Sequence, residues 1–277
     1  MERPAYLLEM PEDEYHGATK RNEYISSHRL NTFRKCPALY IKHVRGEIVE
    51  GDTEAFTLGR ATHALVLQGA EKFAEDFVVH AGPVNPKTGN PYGKTTKAYL
   101  EWAATMALPV ISPDDAELMR KMQEAVHAHA LARDILADGI AEGVVRAEWC
   151  GLPVQARLDW YDPERGILAD LKTCDDMDKF GYNIRDFGYV FQLAFYAKCL
   201  ELAGADVRDM SVYLVAVEKR EPYRVSVWKI LPSTIYAANN DPTYAKNGPG
   251  NETCLRELAE CRERDEWPTR FEEVIQI

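Results

Sequence analysis

The chain has no run of 18 or more apolar residues, so no segment of it reads as a membrane-spanning helix. It has no CxxC pair either. Its six cysteines (Cys36, Cys150, Cys174, Cys199, Cys254 and Cys261) are scattered over 277 residues, which favours reduced, buried thiols. The start, Met1-Glu2-Arg3-Pro4, carries neither the basic nor the apolar region of a secretory signal, and a cytoplasmic location is the expectation. Gly/Ser-rich linkers, Pro-rich spacers and internal repeats are all missing, and the expectation is therefore a single domain over 1–277. Positive charge is in short supply. With 33 Lys and Arg against 44 Asp and Glu, the net charge is −11, which taken as a whole argues against a polyanionic partner.

What is present qualifies that argument. Hydrophobic residues make up 46% and charged residues 28% of the chain, enough to bury a sizeable core. Ten of the 33 basic residues fall in two stretches: seven lie between Thr19 and Gly46, among them Arg34 and Lys35, against the single acid Glu23. A second stretch, Asn85 to Tyr99, holds Lys87, Lys94 and Lys97 and no acid. Such runs are often only solvated faces, but they are the places where a polyanion could be met.

The periodicity changes along the chain. Residues 1–140 read as mainly helical, with a helix over Thr53 to Gln68 that carries Gly59, Arg60 and His63, a Gly/Pro/Asn-rich loop over 82–94, and a long helix from Pro113 to Ala137. From Val144 the period becomes two. Strands are expected over Val144 to Cys150, Val154 to Tyr161 and Ile167 to Thr173, joined by Gly151-Leu152-Pro153 and by Asp162-Pro163-Glu164-Arg165-Gly166. An apolar helix over Phe187 to Leu202, two more strands, and C-terminal helices within 233–277 complete the reading. The expected fold is α/β (α+β): a central mixed sheet with an antiparallel meander, flanked by helices, over about 141–232.

Chemistry concentrates in the meander. Side chains alternate across a strand, so Gln155, Arg157 and Asp159 share one face. If Asp162 pairs with Ile167, Asp159 falls opposite Asp170 and Arg157 opposite Lys172, with Cβ atoms about 5 Å apart. Two facing carboxylates repel unless a cation or a shared proton lies between them. Oxygen ligands without a cysteine suit magnesium, with manganese as a substitute, and Lys172 adds a positive charge beside them. Extending the same logic across the first turn sets Glu148 opposite Gln155, as a third acid facing the site. A surface hairpin with an ion-pair ladder is the plain alternative.

These residues resemble the PD-(D/E)xK nuclease superfamily, in particular its RecB-like and RecE-like exonuclease branch. The order is Ser26-Ser27 with Leu30, Phe33 and Cys36-Pro37; Gly59-Arg60-Ala61-Thr62-His63; Asp159; Asp170-Leu171-Lys172; and Gln192-Leu193-Ala194-Phe195-Tyr196. The layout is most like the C-terminal nuclease domain of RecE-type exodeoxyribonuclease VIII and its phage relatives. The resemblance implies a restriction-endonuclease-like core with an N-terminal helical elaboration. It further implies magnesium held by His63, Asp159, Asp170 and the Leu171 carbonyl, Lys172 as the residue that orients water, and Gln192 and Tyr196 bordering the site. It also implies a ring-shaped homo-oligomer acting 5′ to 3′ on double-stranded DNA ends, and a single-strand annealing protein as partner. Some relatives hold an iron–sulfur cluster through one N-terminal and three C-terminal cysteines. Here only Cys254 and Cys261 lie near the C-terminus, so no cluster is expected. Arg34, Lys35, Arg60, Lys87, Lys94, Lys97 and Arg157 are the candidate DNA contacts. A catalytically silent DNA-binding or assembly module on the same fold, an endonuclease of the superfamily, and a two-carboxylate hydrolase built on Asp159 and Asp170 are the competing readings.

Overall fold

The computed structural model describes residues 3–48, 51, 53–242 and 248–272. Four helices open the chain: α1 (Glu12–Lys20), α2 (Ser27–Lys35), α3 (Pro37–Val44) and α4 (Glu54–His63). A π-helical turn, Ala64–Gln68, continues α4 directly from His63. Then come α5 (Ala70–Asp76), the two-residue strands β1 (Val78–Val79) and β2 (Val110–Ile111) with α6 (Lys97–Ala103) between them, α7 (Pro113–Ala128) and α8 (Ala130–Ile135). The long helix expected over Pro113 to Ala137 is two. At His129 the backbone turns extended (ψ 109°), and the His129 ring accepts the Ala132 N–H to start α8 afresh.

The centre is a five-stranded mixed sheet in sequential order: β3 (Ile140–Trp149), β4 (Leu152–Asp162), β5 (Ile167–Cys174), β6 (Ser211–Glu218) and β7 (Val225–Ile230). All neighbours are antiparallel except β5 and β6. That parallel step needs a crossover, which is supplied by a short 3₁₀ turn, α9 (Phe180–Asp186) and α10 (Tyr189–Leu202). Helix α10 is apolar nearly all round, and eight of its side chains are buried, because it lies against one face of the sheet with Val154, Ala156, Leu158 and Leu168. The other face is covered by α7 and the π turn, where Met119, Met122, Val126 and Val66 meet Ala169, Leu171, Val215 and Val217. Helices α11 (Pro232–Asn240) and α12 (Asn251–Arg264) close the far side of α10.

Two turns fix the register that matters. Between β4 and β5, Asp162 pairs with Ile167 as expected. The Asp162 carboxylate accepts the Glu164 and Arg165 N–H groups at 3.0 Å, and the Arg165 guanidinium reaches the last carbonyls of α8, Asp134 and Ile135. Between β3 and β4 the turn is tighter than expected. Cys150 (φ 53°) and Gly151 (φ 72°) are both left-handed and make a two-residue hairpin, so Trp149 pairs with Leu152 and Glu148 with Pro153. Gln155 therefore meets Arg146. Glu148 stands exposed at the tip of the hairpin.

The sheet also splits. Pairing between β4 and β5 runs only from Asp162↔Ile167 to Trp160↔Ala169. Beyond that point the freed edge of β4 is taken up by the N-terminal segment: Ile25 N–H donates to the Pro153 carbonyl and Gln155 N–H to the Ile25 carbonyl, both at 2.9 Å. Gln155, fully buried, holds α1 through the Tyr15 carbonyl and Thr19 Oγ1 at 2.8 Å. Its task is scaffolding.

Candidate active site

The wedge where β4 leaves β5 is where the acids collect. Continuing the register would pair Asp159 with Asp170, one step past Trp160↔Ala169. In place of that backbone pair, Asp159 Oδ2 accepts the buried Leu171 N–H at 3.0 Å. A side-chain carboxylate thus substitutes for a ladder carbonyl, so the strands separate without orphaning that donor. The expectation that Asp159 and Asp170 come together holds, but through a gap in the sheet and not across a continuous ladder.

On the other side of β4, the pairs Ala141↔Trp160 and Gly143↔Leu158 set Glu142 opposite Asp159. Glu142 has φ 55°, a conformation that costs a non-glycine residue about 1–2 kcal/mol and tends to persist at functional positions. Its carboxylate pairs with Arg157 Nε at 2.5 Å. Glu142 is the residue the sequence reading missed. The expected third acid, Glu148, lies six residues further along the same strand, roughly 20 Å away. The signal for Glu142 was its even spacing from Glu148, but the strand was expected to begin only at Val144.

His63 arrives from the last position of α4, at the junction with the π turn, an irregularity often found at functional sites. Its Nδ1 is 3.5 Å from Asp159 Oδ2. Burial and the nearby Lys172 charge push the imidazole below its ordinary pKa, so the neutral, ligating form prevails near neutral pH. The Leu171 carbonyl, as acceptor for the ring, works in the opposite sense and favours the imidazolium.

Asp170 and Lys172 follow on β5. Lys172 Nζ is 2.5 Å from Asp170 Oδ2 and 5.1 Å from the centre of the Tyr189 ring. Burial works against the ammonium, but the Asp170 and Asp159 carboxylates outweigh it and carry the Lys172 pKa upward. Lys172 is a firmly protonated donor. Burial, then the Asp159 charge, pushes Asp170 up to about 6 against the pull of Lys172. Burial also raises Asp159, and burial together with the Asp159 charge raises Glu142. From α10, the half-buried Gln192 donates through Nε2 to the Tyr196 hydroxyl at 2.8 Å. Burial, and after it the neighbouring Tyr15 and the Asp159 and Asp170 charges, hold the Tyr196 phenol well above its usual pKa.

The donor set fits a divalent cation. Ligand atoms of His63, Glu142 and Asp159 all lie within 4.8 Å of one another, and Asp170 adjoins Asp159. Both Asp170 oxygens are buried, and the Lys172 ammonium, 2.5 Å from Oδ2, meets their charge. The Asp159 charge nonetheless repels both Asp170 and Glu142, and a bound cation relieves that repulsion. The three carboxylates outnumber Arg157 and Lys172 by one charge, and none of the donors is a thiolate, so the set is one for hard metals.

The candidate DNA contacts divide. Arg34 is corrected: it is 3% exposed, donates to the Pro249 carbonyl and Asn31 Oδ1 at 3.0 Å and to Asn251 Oδ1 at 2.5 Å, and lies 3.6 Å above the Phe191 ring. Arg34 ties α2 to α10 and α12 and is out of reach of a phosphate. Lys94 is engaged by Asp115 at 2.6 Å and by Glu54, Arg60 by Glu12 at 3.1 Å, and Arg157 by Glu142. Lys35, Lys87 and Lys97 project into solvent, Lys97 with only a loose contact to Glu101 at 3.6 Å.

A PDDEXK-like domain of unknown function (DUF3799) matches residues 26–275, and the chain belongs to that family. Among solved structures, a candidate exonuclease from Eubacterium rectale superposes with a TM-score of 0.64 over 98% of this chain and 96% of its own, at 12% identity. That likeness shows the fold. A phage-related exonuclease from Haemophilus somnus 129PT gives a TM-score of 0.36 over 88% of this chain and 96% of its own, also at 12% identity. No curated protein sequence matches.

Proposed function

We propose that the protein is a divalent-metal-dependent deoxyribonuclease that hydrolyses phosphodiester bonds, with magnesium as the resident ion and manganese able to replace it. The observation that carries this reading is the pair Asp159 and Asp170 in the sheet wedge, with Lys172 Nζ 2.5 Å from the buried Asp170 carboxylate. In this reading His63, Glu142, Asp159, Asp170 and the Leu171 carbonyl hold the metal. When bound, the ion supplies charge neutralisation at the phosphoryl oxygens and a water of lowered pKa.

The chain's own groups then have separable tasks. Lys172, kept protonated by its carboxylate neighbours, donates hydrogen bonds to the attacking water and to the oxygen on which charge develops. Arg157 holds Glu142 at the edge of the cluster. The Gln192–Tyr196 pair borders the acids and limits how water is arranged beside them.

The finer reading is an exonuclease acting 5′ to 3′ on double-stranded ends, as a ring-shaped homo-oligomer in the cytoplasm, with a single-strand annealing protein as functional partner. It is supported by the family resemblance of the motifs. Digestion of linear and covalently closed duplex DNA with magnesium, each linear strand labelled in turn at its 5′ end, tests it. Loss of the linear substrate alone, with 5′ label released as mononucleotide, is the expected result. Equal cleavage of closed circles makes the protein an endonuclease.

A further inference from the structure

Beside the acid cluster, at the C-terminal end of β5, lies a cleft of about 330 Å³ bounded by β5, α9 and the start of α10. It is at the low end of the sizes of small-molecule clefts. Tyr189 is shared between the two sites. One side of its ring faces Lys172 Nζ, 5.1 Å from the ring centre, and the ring also lines the cleft. Phe187 stands at the lip with its ring centre 5.7 Å from that of Tyr189, and Phe180 packs behind at 6.2 Å. Phe187 is 57% exposed. Gly188, left-handed at φ 74°, separates it from α10 and keeps it outside the helix.

The polar part of the lining is poorly suited to a phosphate. It offers the carboxylates of Asp175 and Asp176 against the single ammonium of Lys179, and Lys179 is itself drawn to Asp176 at 3.4 Å. Asn183 also lines the cleft, and its carboxamide makes no hydrogen bond among the described residues. A carboxamide offers a donor and an acceptor together, the combination that base edges accept. Aromatic faces without excess positive charge, next to a free amide, describe a place for a heterocycle.

We propose that this cleft receives one unstacked nucleobase from the strand whose phosphodiester lies at Asp159, Asp170 and Lys172, stacked on Phe187 and Tyr189 with Asn183 at its edge. The proposal rests on the nuclease reading and adds a nucleotide-positioning subsite to it. Unstacking costs least at a duplex terminus or a mismatch, so the cleft selects frayed ends. Stacking one base on an aromatic side chain strengthens binding roughly 5- to 100-fold.

Duplexes with 2-aminopurine or an abasic residue at the 5′ or the 3′ terminal nucleotide, bound to the full chain in calcium and followed by anisotropy and 2-aminopurine emission, test it. For one of the two ends, wild type should change the 2-aminopurine emission and should bind the abasic duplex roughly 5- to 100-fold more weakly than the intact one. Phe187→Ala should lose both the emission change and most of the discrimination, and Asn183→Ala part of it. Phe187 is largely exposed, so its removal spares the core. The subsite is overturned if wild type binds DNA but treats abasic and intact ends alike, or if both variants keep the full wild-type discrimination. Failure of wild type to bind or cut any DNA overturns the nuclease reading itself, and the subsite with it.

Discussion

In metal-free protein, Asp170→Asn should be more stable relative to wild type at neutral pH than at pH 4.5, and the structure sets the size of the change. Burial and the Asp159 charge raise Asp170 from 3.8 to about 6, a displacement of about 2 pKa units. Each unit corresponds to about 1.4 kcal/mol, so the relative stability should shift by about 3 kcal/mol in all, about 2 kcal/mol of it between pH 4.5 and 7.5. The sign follows from linkage: the folded state holds the proton more tightly, so ionisation favours the unfolded chain as pH rises from 3.8, and the loss is complete above the folded-state pKa. Asparagine mimics the protonated acid and does not ionise. The attraction of Lys172 is already contained in the raised value, because it pulls the other way. His63, lowered by burial, contributes the opposite slope below pH 6.5 in both proteins and largely cancels in the difference. Urea unfolding in EDTA from pH 4.5 to 7.5 measures it. A constant difference across that range, or one that shrinks as pH rises, refutes the assignment of Asp170 as a buried acid awaiting a cation.

Further expectations follow from the same geometry. Glu142→Gln should weaken manganese binding at least about tenfold, read by calorimetric titration, whereas Glu148→Gln at the hairpin tip should leave it unchanged; the reverse pattern refutes the register-based assignment. Arg34→Ala removes three hydrogen bonds and the contact with Phe191, so it should cost on the order of 3 kcal/mol in urea unfolding; a fold-neutral variant with reduced DNA affinity contradicts the structural role. Replacing Lys35, Lys87 and Lys97 together by Ala should lower the slope of log affinity against log salt by about 2 to 3. Lys94→Ala, whose ammonium is held by Asp115 and Glu54, should barely change that slope.

How much was legible depended on how locally each feature is determined. Asp162-Pro163-Glu164-Arg165-Gly166 announces its turn, so the register at Asp162↔Ile167 and the meeting of Asp159 with Asp170 could be read from the chain. The Cys150-Gly151 turn could not, since cysteine is a poor turn residue and Pro153 drew the expected turn two residues downstream; Glu148 was misplaced as a result. Glu142 was hidden by its left-handed backbone and by the glycine after it, which hide the start of the strand. Burial of Arg34 depends on Asn251, 217 positions away, and no local pattern reveals a partner at that distance. The split between β4 and β5 is equally nonlocal, because it needs Ile25 to occupy the edge that β5 gives up.

The central claim is that Asp159, Asp170 and Lys172 together make a phosphodiesterase site, and single-turnover hydrolysis of an end-labelled linear duplex in magnesium tests it most directly. With fold verified by unfolding curves, wild type should release labelled product, and Asp159→Ala, Asp170→Ala and Lys172→Ala should each be slower by about 100-fold or more. Cleavage at the wild-type rate by any of the three folded variants would contradict the account.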